Sequence, residues 1–201
     1  MRTTHTTHTI RTTRTPRRTR MTRSATAALA AGSIALLTGL TPPTAQAAAA
    51  DTVHLKFDKN PAAPSDSRLS VVKGAKVWAT YRAGSGTTKN ECATGRGWLP
   101  NGTYAVGKHY RTYNGRLIKG YAIRLADKVC SDGRTKRTEL FIHSEMTVNG
   151  GQGGSEPRKW TDTNPNDFLS NGCVKLRPEE IKKMFRLLDR IGWPKTLKVT
   201  G

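Results

Sequence analysis

The most informative stretch of this sequence is Ser170-Asn171-Gly172-Cys173-Val174-Lys175-Leu176. Gly172 lets the backbone turn sharply beside Cys173, so that successive backbone N–H groups can point at one developing oxyanion. A helix is predicted to begin five residues further on, at Pro178, and to support the strand or turn that presents the thiol. Cys173 is therefore a candidate nucleophile, and a buried structural cysteine is the alternative.

Residues 1–47 have the features of a secretory signal peptide. Seven arginines and no acidic residue lie within residues 1–23, and an apolar run follows over residues 25–40. That run is long enough for a signal-peptide core but short for a membrane span. Ala45-Gln46-Ala47 fits the small-x-small cleavage pattern, and Met21 is an alternative start. We expect an exported protein, and an uncleaved membrane anchor is the alternative.

The charge of the remaining chain suggests a partner outside the cell. Cleavage after residue 47 would leave 154 residues, the size of one domain. It would remove seven of the 34 basic residues and none of the 14 acidic ones, leaving a net charge of +13. No RNA-binding signature, zinc-finger spacing or basic and aromatic alternation is present, so we expect no nucleic-acid partner. We interpret the charge as favouring retention by an anionic polymer, with solubility as the alternative.

The three cysteines of the chain should form one disulfide and leave one thiol, which is either reactive or bonded to another molecule. Cys92 and Cys130 flank a strand-like segment, and their pairing would close a loop of 39 residues. Such a bond would stabilise the fold by about 3–4 kcal/mol. Cys173 then needs a nearby base to attack as a thiolate. His143, at the end of an apolar strand, is the best-placed histidine, and a hydrogen-bonded structural histidine is the alternative.

The apolar pattern predicts a mainly β domain with one packed helix near its C-terminus. A hairpin is expected over residues 69–81, with strands at residues 103–106, 110–113, 117–125 and 139–142. The helix should begin at Pro178 and end at Gly192, with its apolar stripe buried in the core. Residues 149–167 are rich in Gly, Pro, Asn and Asp, which predicts one long loop.

The order Ile142-His143-Ser144, then Ser170 to Leu176, resembles the signature of L,D-transpeptidases with a YkuD-like catalytic domain. In that signature a histidine at a strand end precedes a Ser/Thr-x-Gly-Cys box. Residues 99–104 resemble the family's Thr-Pro-x-Gly-x-Phe/Tyr element, and residues 69–86 resemble its opening hairpin. The resemblance implies an L,D-transpeptidase-type β-sandwich over residues 67–201, with a short linker at residues 48–66 after the signal peptide.

The resemblance also implies a role for each site residue. Cys173 would be acylated, His143 would be its base, and the Ser144 backbone carbonyl would orient the imidazole. The remaining implied role is an oxyanion hole of backbone N–H groups at Asn171, Gly172 and Cys173. We also expect substrate contacts at Ser170, Lys175 and Trp160, and solvent exposure is the alternative for Trp160, which lies in the loop inserted relative to the family. His143 and Cys173 are 30 positions apart, longer than is usual in the family, and Asn171 stands where many members have histidine.

The implied reaction is cysteine-dependent acyl transfer on peptidoglycan peptide stems. The thiol displaces the terminal D-alanine, and an amine of a second stem resolves the thioester. Water as the acceptor would make the protein an L,D-carboxypeptidase, and loss of turnover would leave a non-catalytic, basic wall-binding protein. We expect a secreted or wall-associated monomer that binds stems and anionic wall polymers, has no membrane attachment after cleavage, and needs no metal or cofactor.

Overall fold

The computed structural model describes residues 51–151 and 165–201. Within them, eight strands hydrogen-bond in a closed ring and one α-helix shares their core. The predicted signal peptide at residues 1–47 and the predicted substrate residue Trp160 lie outside the described residues. The elements are β1 Val53–Asp58, β2 Ser67–Lys73, β3 Lys76–Ser85, β4 Gly102–Asn114, β5 Lys119–Leu125, β6 Lys128–Val129, β7 Lys136–Arg137, β8 Phe141–His143, β9 Val174–Lys175, α1 Pro178–Ile191 and β10 Thr196–Thr200.

The mainly β fold predicted from the sequence is confirmed. The ring runs in the order β1-β10-β4-β5-β8-β9-β3-β2, and β6 and β7 form a separate small hairpin. Strands β3 and β4 each pair with two partners in succession, β3 with β2 and then β9, and β4 with β10 and then β5. These two long strands therefore join the two halves of the predicted sandwich along both edges and close it into a ring.

The helix also follows its prediction. Pro178, Glu179 and Glu180 form the first turn. Proline suits this position, and the acidic side chains interact favourably with the positive end of the helix dipole. The chain leaves the helix at Gly192, whose φ of 107° suits glycine and whose N–H donates to the Leu188 carbonyl. The apolar stripe is buried in the same core as the strands; its members are Ile181, Met184, Phe185, Leu187 and Leu188.

The structure differs from the prediction of a linker at residues 48–66. Strand β1 lies within that interval and pairs with β2 and, in parallel, with β10. Leu55 and Phe57 are fully buried. Val53, Leu55 and Phe57 alternate with polar residues, which is the pattern of a half-buried strand, and the interpretation of this interval as a linker overlooked it.

The β4–β5 hairpin is longer than predicted. Two strands were expected before the turn, but β4 continues through them, with register shifts that absorb the break. Asn114 pairs with Lys119, so four residues form the turn, and the Gly115 N–H donates to the Ile118 carbonyl. This hairpin tip forms one wall of the pocket described below.

The predicted disulfide between Cys92 and Cys130 is present, with a Cα–Cα distance of 5.5 Å. It bonds the loop of residues 86–98, called here the tethered loop, to the end of β6. Cys173 is free and buried. Within the described part of the chain, no helix is both long enough and apolar enough to span a membrane.

Candidate active site

His143 lies at the end of β8, and Cys173 directly precedes β9, the parallel neighbour of β8. In β8 and β9, Ile142 pairs with Val174 and His143 pairs with Lys175. Since side chains alternate across a strand, Ile142 and Val174 point into the core, and His143 and Cys173 share the opposite face. The partner of His143 is Lys175, and Cys173 precedes Lys175 by two positions. Cys173 is therefore offset from His143 by about 6–7 Å along the strand direction. Parallel neighbours need a crossover connection, which accounts for the long segment between these two residues.

The Cys173 thiol is buried and bonded to backbone groups. Its Sγ donates to the Glu139 carbonyl at 3.5 Å, and the Phe141 backbone N–H bonds to the sulfur. Burial raises the pKa of the thiol to about 11, against opposing contributions from the Phe141 N–H and from the Arg137 and Arg124 guanidinium groups. A thiol with its pKa raised in this way is neutral at pH 7.

The His143 imidazole is held by its own neighbour. Its Nδ1 lies 3.0 Å from the Ser144 carbonyl oxygen, and because a carbonyl only accepts, Nδ1 carries the proton. The neutral ring thus keeps its lone pair on Nε2. Burial lowers the pKa of His143 to about 4, with a further lowering by the Lys175 ammonium, while the Ser144 hydrogen bond opposes it. Ser144 is itself fixed, since its Oγ donates to the Leu176 carbonyl at 2.7 Å.

The turn before Cys173 is built around the Ser170 hydroxyl. Ser170 Oγ accepts from the backbone N–H groups of Gly86 and Gly172, at 3.0 and 3.1 Å, and donates to the Cys173 carbonyl at 2.7 Å. This hydroxyl was predicted to contact substrate, but its hydrogen bonds lie within the protein, which favours a structural role. The Gly172 N–H, one of the three predicted oxyanion donors, is likewise bonded to Ser170.

A pocket of about 560 Å³ opens in front of these side chains. His143, Cys173 and Lys175 line one side, and the β4–β5 hairpin tip lines another with Arg116 and Leu117. The lining contains charges of both signs. Lys175, predicted to contact substrate, is largely buried and bonds through Nζ to Glu145 Oε2 at 2.8 Å.

Sequence comparison agrees with this geometry, since residues 65–198 match the YkuD family, described as the L,D-transpeptidase catalytic domain. The chain belongs to this L,D-transpeptidase family. No curated protein sequence gives a significant match. The family match begins close to β2 and includes every site residue named above.

Solved structures similar to this L,D-transpeptidase domain share its fold at low sequence identity. They include a mutant of the helical cell shape determining protein Pgp2 of Campylobacter jejuni, at 14% identity and a TM-score of 0.50, over 74% of this chain and 47% of that one. L,D-transpeptidase 1 of Mycobacterium tuberculosis is 16% identical with a TM-score of 0.41, over 74% of this chain and 63% of that one. The catalytic domain of the E. faecium L,D-transpeptidase is 14% identical with a TM-score of 0.44, over 75% of this chain and 98% of that one. This chain therefore spans about half of Pgp2.

Two residues beside the thiol of this L,D-transpeptidase domain were not predicted. Arg137 is 2% exposed and donates hydrogen bonds to the tethered loop. Glu139 has a φ of 55°, the one positive φ of a non-glycine residue in the described ranges, and its carbonyl accepts from Cys173. Such a backbone conformation is strained for a residue with a side chain. Neither feature leaves a signal in the sequence.

A metal-like grouping of side chains lies outside the pocket. Within the described ranges, Cys92, Cys130 and Asp132 place their ligand atoms within 4.8 Å of one another. The two sulfur atoms are bonded to each other, so they are not thiolate ligands. The absence of a metal requirement therefore stays a prediction for this L,D-transpeptidase domain.

Proposed function

We propose that this protein is an L,D-transpeptidase that transfers an acyl group from a peptidoglycan peptide stem through a thioester on Cys173. The observation that carries the proposal is the β8–β9 pairing, which puts His143 and Cys173 on one face and against one pocket, in a chain of the L,D-transpeptidase family. The imidazole is held in the tautomer that a base requires, with Nε2 as the acceptor.

The first half-reaction forms the thioester. The thiol proton moves to His143 Nε2 as the sulfur attacks the carbonyl carbon of the bond before the terminal D-alanine. Because thiol and imidazole are both neutral at rest, this proton transfer accompanies the attack and does not precede it. The oxyanion would accept from the backbone N–H groups of Asn171 and Cys173, since the Gly172 N–H serves the turn. Collapse expels the D-alanine amine, which takes the proton from His143.

The second half-reaction releases the acyl group. An amine of a second stem attacks the thioester carbon, gives a proton to His143, and leaves an amide cross-link and the free thiol. Water in place of the amine would give the carboxypeptidase product. The Lys175–Glu145 pair sets an ammonium and a carboxylate against the pocket, which suits a substrate that carries both free carboxyl and amino groups.

We also propose that the protein works outside the membrane as a monomer. The disulfide between Cys92 and Cys130 fits an oxidising compartment, in keeping with the signal peptide expected at residues 1–47. The net positive charge of the remaining chain would favour binding to anionic wall polymers.

Product analysis with a disaccharide-tetrapeptide tests the proposal. The wild type should release D-alanine and form cross-linked dimer, while Cys173→Ala and His143→Ala should form neither and remain folded. His109→Ala is the matched control, because His109 stacks on Trp193, away from the pocket, and that variant should keep its turnover. Normal turnover by Cys173→Ala would refute the proposal, and tripeptide without dimer would assign the carboxypeptidase reaction.

A further inference from the structure

Arg137 connects the tethered loop to the turn that carries Cys173. Its guanidinium donates to three backbone carbonyls of that loop, those of Glu91, Gly97 and Trp98, the latter two at 3.1 and 3.2 Å. The loop is fixed in turn by the disulfide at Cys92. A guanidinium holds five N–H donors in a rigid planar fork that can bind carbonyls spaced around it, whereas the three donors of lysine all radiate from one nitrogen atom.

The guanidinium also fills the space beside Gly172. A Cβ at position 172 would lie 2.0 Å from Arg137 Nη2 and 2.8 Å from the Gly97 carbonyl oxygen. Glycine is thus required there for two reasons, its φ of 116° and the presence of the guanidinium. Arg137 therefore packs directly against the residue that precedes the nucleophile.

The positive charge of Arg137 is not neutralised by a contacting carboxylate. In the described ranges no carboxylate lies within 4.0 Å of its guanidinium, and its partners there are neutral carbonyls. The Glu91 carboxylate faces elsewhere, accepting from the backbone N–H groups of Asn101 and Ser131. A buried cation without a close counter-ion is costly by itself and is stabilised whenever negative charge forms nearby.

We propose that Arg137 is a positioning residue for the proposed acyl transfer: it fixes the Gly172–Cys173 turn against the tethered loop and supplies a fixed positive field that stabilises charge forming at Cys173. This inference rests on the proposed function only for its catalytic consequence. The field itself acts on the thiol with no substrate present. Burial raises the pKa of Cys173; among side chains, the Arg137 guanidinium opposes burial most, Arg124 acts in the same direction, and the Glu139 carboxylate acts with burial.

The test is the pH dependence of Cys173 alkylation by iodoacetamide in the full chain, whose other two cysteines are disulfide-bonded. Arg137→Gln keeps a hydrogen-bond donor but removes the charge, and we expect alkylation at pH 8 to fall about tenfold as the thiolate fraction falls. Arg137→Lys keeps the charge, and its alkylation should stay within about twofold of wild type even where its melting temperature falls. Arg111→Met, which breaks an ion pair with Asp189 on the helix, is the matched control and should alkylate like wild type.

The outcomes separate this inference from the proposed function. A folded Arg137→Gln protein with the wild-type alkylation profile would overturn the inference. If Arg137→Gln does not fold, the Arg137→Lys protein provides the test. An alkylation rate of Cys173 that falls together with the melting temperature of this variant would show that Arg137 has only a structural role and would overturn the inference. Wild-type protein that releases no D-alanine would refute the proposed function, and the alkylation comparison would still decide the role of Arg137.

Discussion

His143 should make the stability of the fold depend on pH in a defined window. Burial holds the pKa of its imidazole at about 4 in the folded protein, against an ordinary value of 6.5 in the unfolded chain. Between these values the unfolded state binds more protons than the folded state, so stability must fall as pH falls. At about 1.4 kcal/mol per pH unit, the loss between pH 7 and pH 4 amounts to about 3 kcal/mol.

Urea unfolding at pH 7 and pH 4 measures this loss in wild type and in His143→Gln. The variant has no imidazole to protonate, so the free energy of unfolding of wild type relative to the variant should fall by about 3 kcal/mol on acidification. Taking the difference cancels other titrating groups such as Glu180, whose pKa is raised by burial. A difference that stays constant between the two pH values would refute a buried, neutral His143 and with it the resting state of the proposed base.

Three further changes test the surroundings of the thiol. Gly172→Ala should lose about 2–3 kcal/mol of stability and most thiol reactivity, because its Cβ would overlap Arg137; unfolding and alkylation measure both, and wild-type values would contradict the packing. Replacing Cys92 and Cys130 by serine should lower the free energy of unfolding by about 3–4 kcal/mol in urea titrations, and an unchanged midpoint would show that the bond does not constrain the chain. Lys175→Met should raise the pKa of the site histidine, observed by NMR titration; a lowered pKa would contradict the assigned effect of the ammonium.

Much of the geometry of the candidate site could be predicted because it depends on residues close together in the sequence. The Gly172-Cys173 pair and the strand-end His143 occur in fixed order, and the odd number of cysteines left Cys173 as the unpaired thiol. The contact between His143 and the Ser144 carbonyl joins adjacent residues, so the resemblance was sufficient to predict it.

The parts that could not be predicted depend on distant segments. Arg137 is buried because the tethered loop, which lies far from it in the sequence, folds over it. Ser170 was expected to contact substrate, but the backbone N–H of Gly86 lies within reach of its hydroxyl. In each case a hydrogen-bond partner more than 30 positions away determines the role of the residue.

Intact-mass analysis of the protein after incubation with a disaccharide-tetrapeptide tests the acyl-enzyme directly. The wild type should gain the mass of the stem without its terminal D-alanine, and peptide mapping should place the adduct on Cys173. Cys173→Ala, incubated in parallel, should gain no mass. An adduct on any other residue, or D-alanine release by the alanine variant, would contradict nucleophilic catalysis by Cys173.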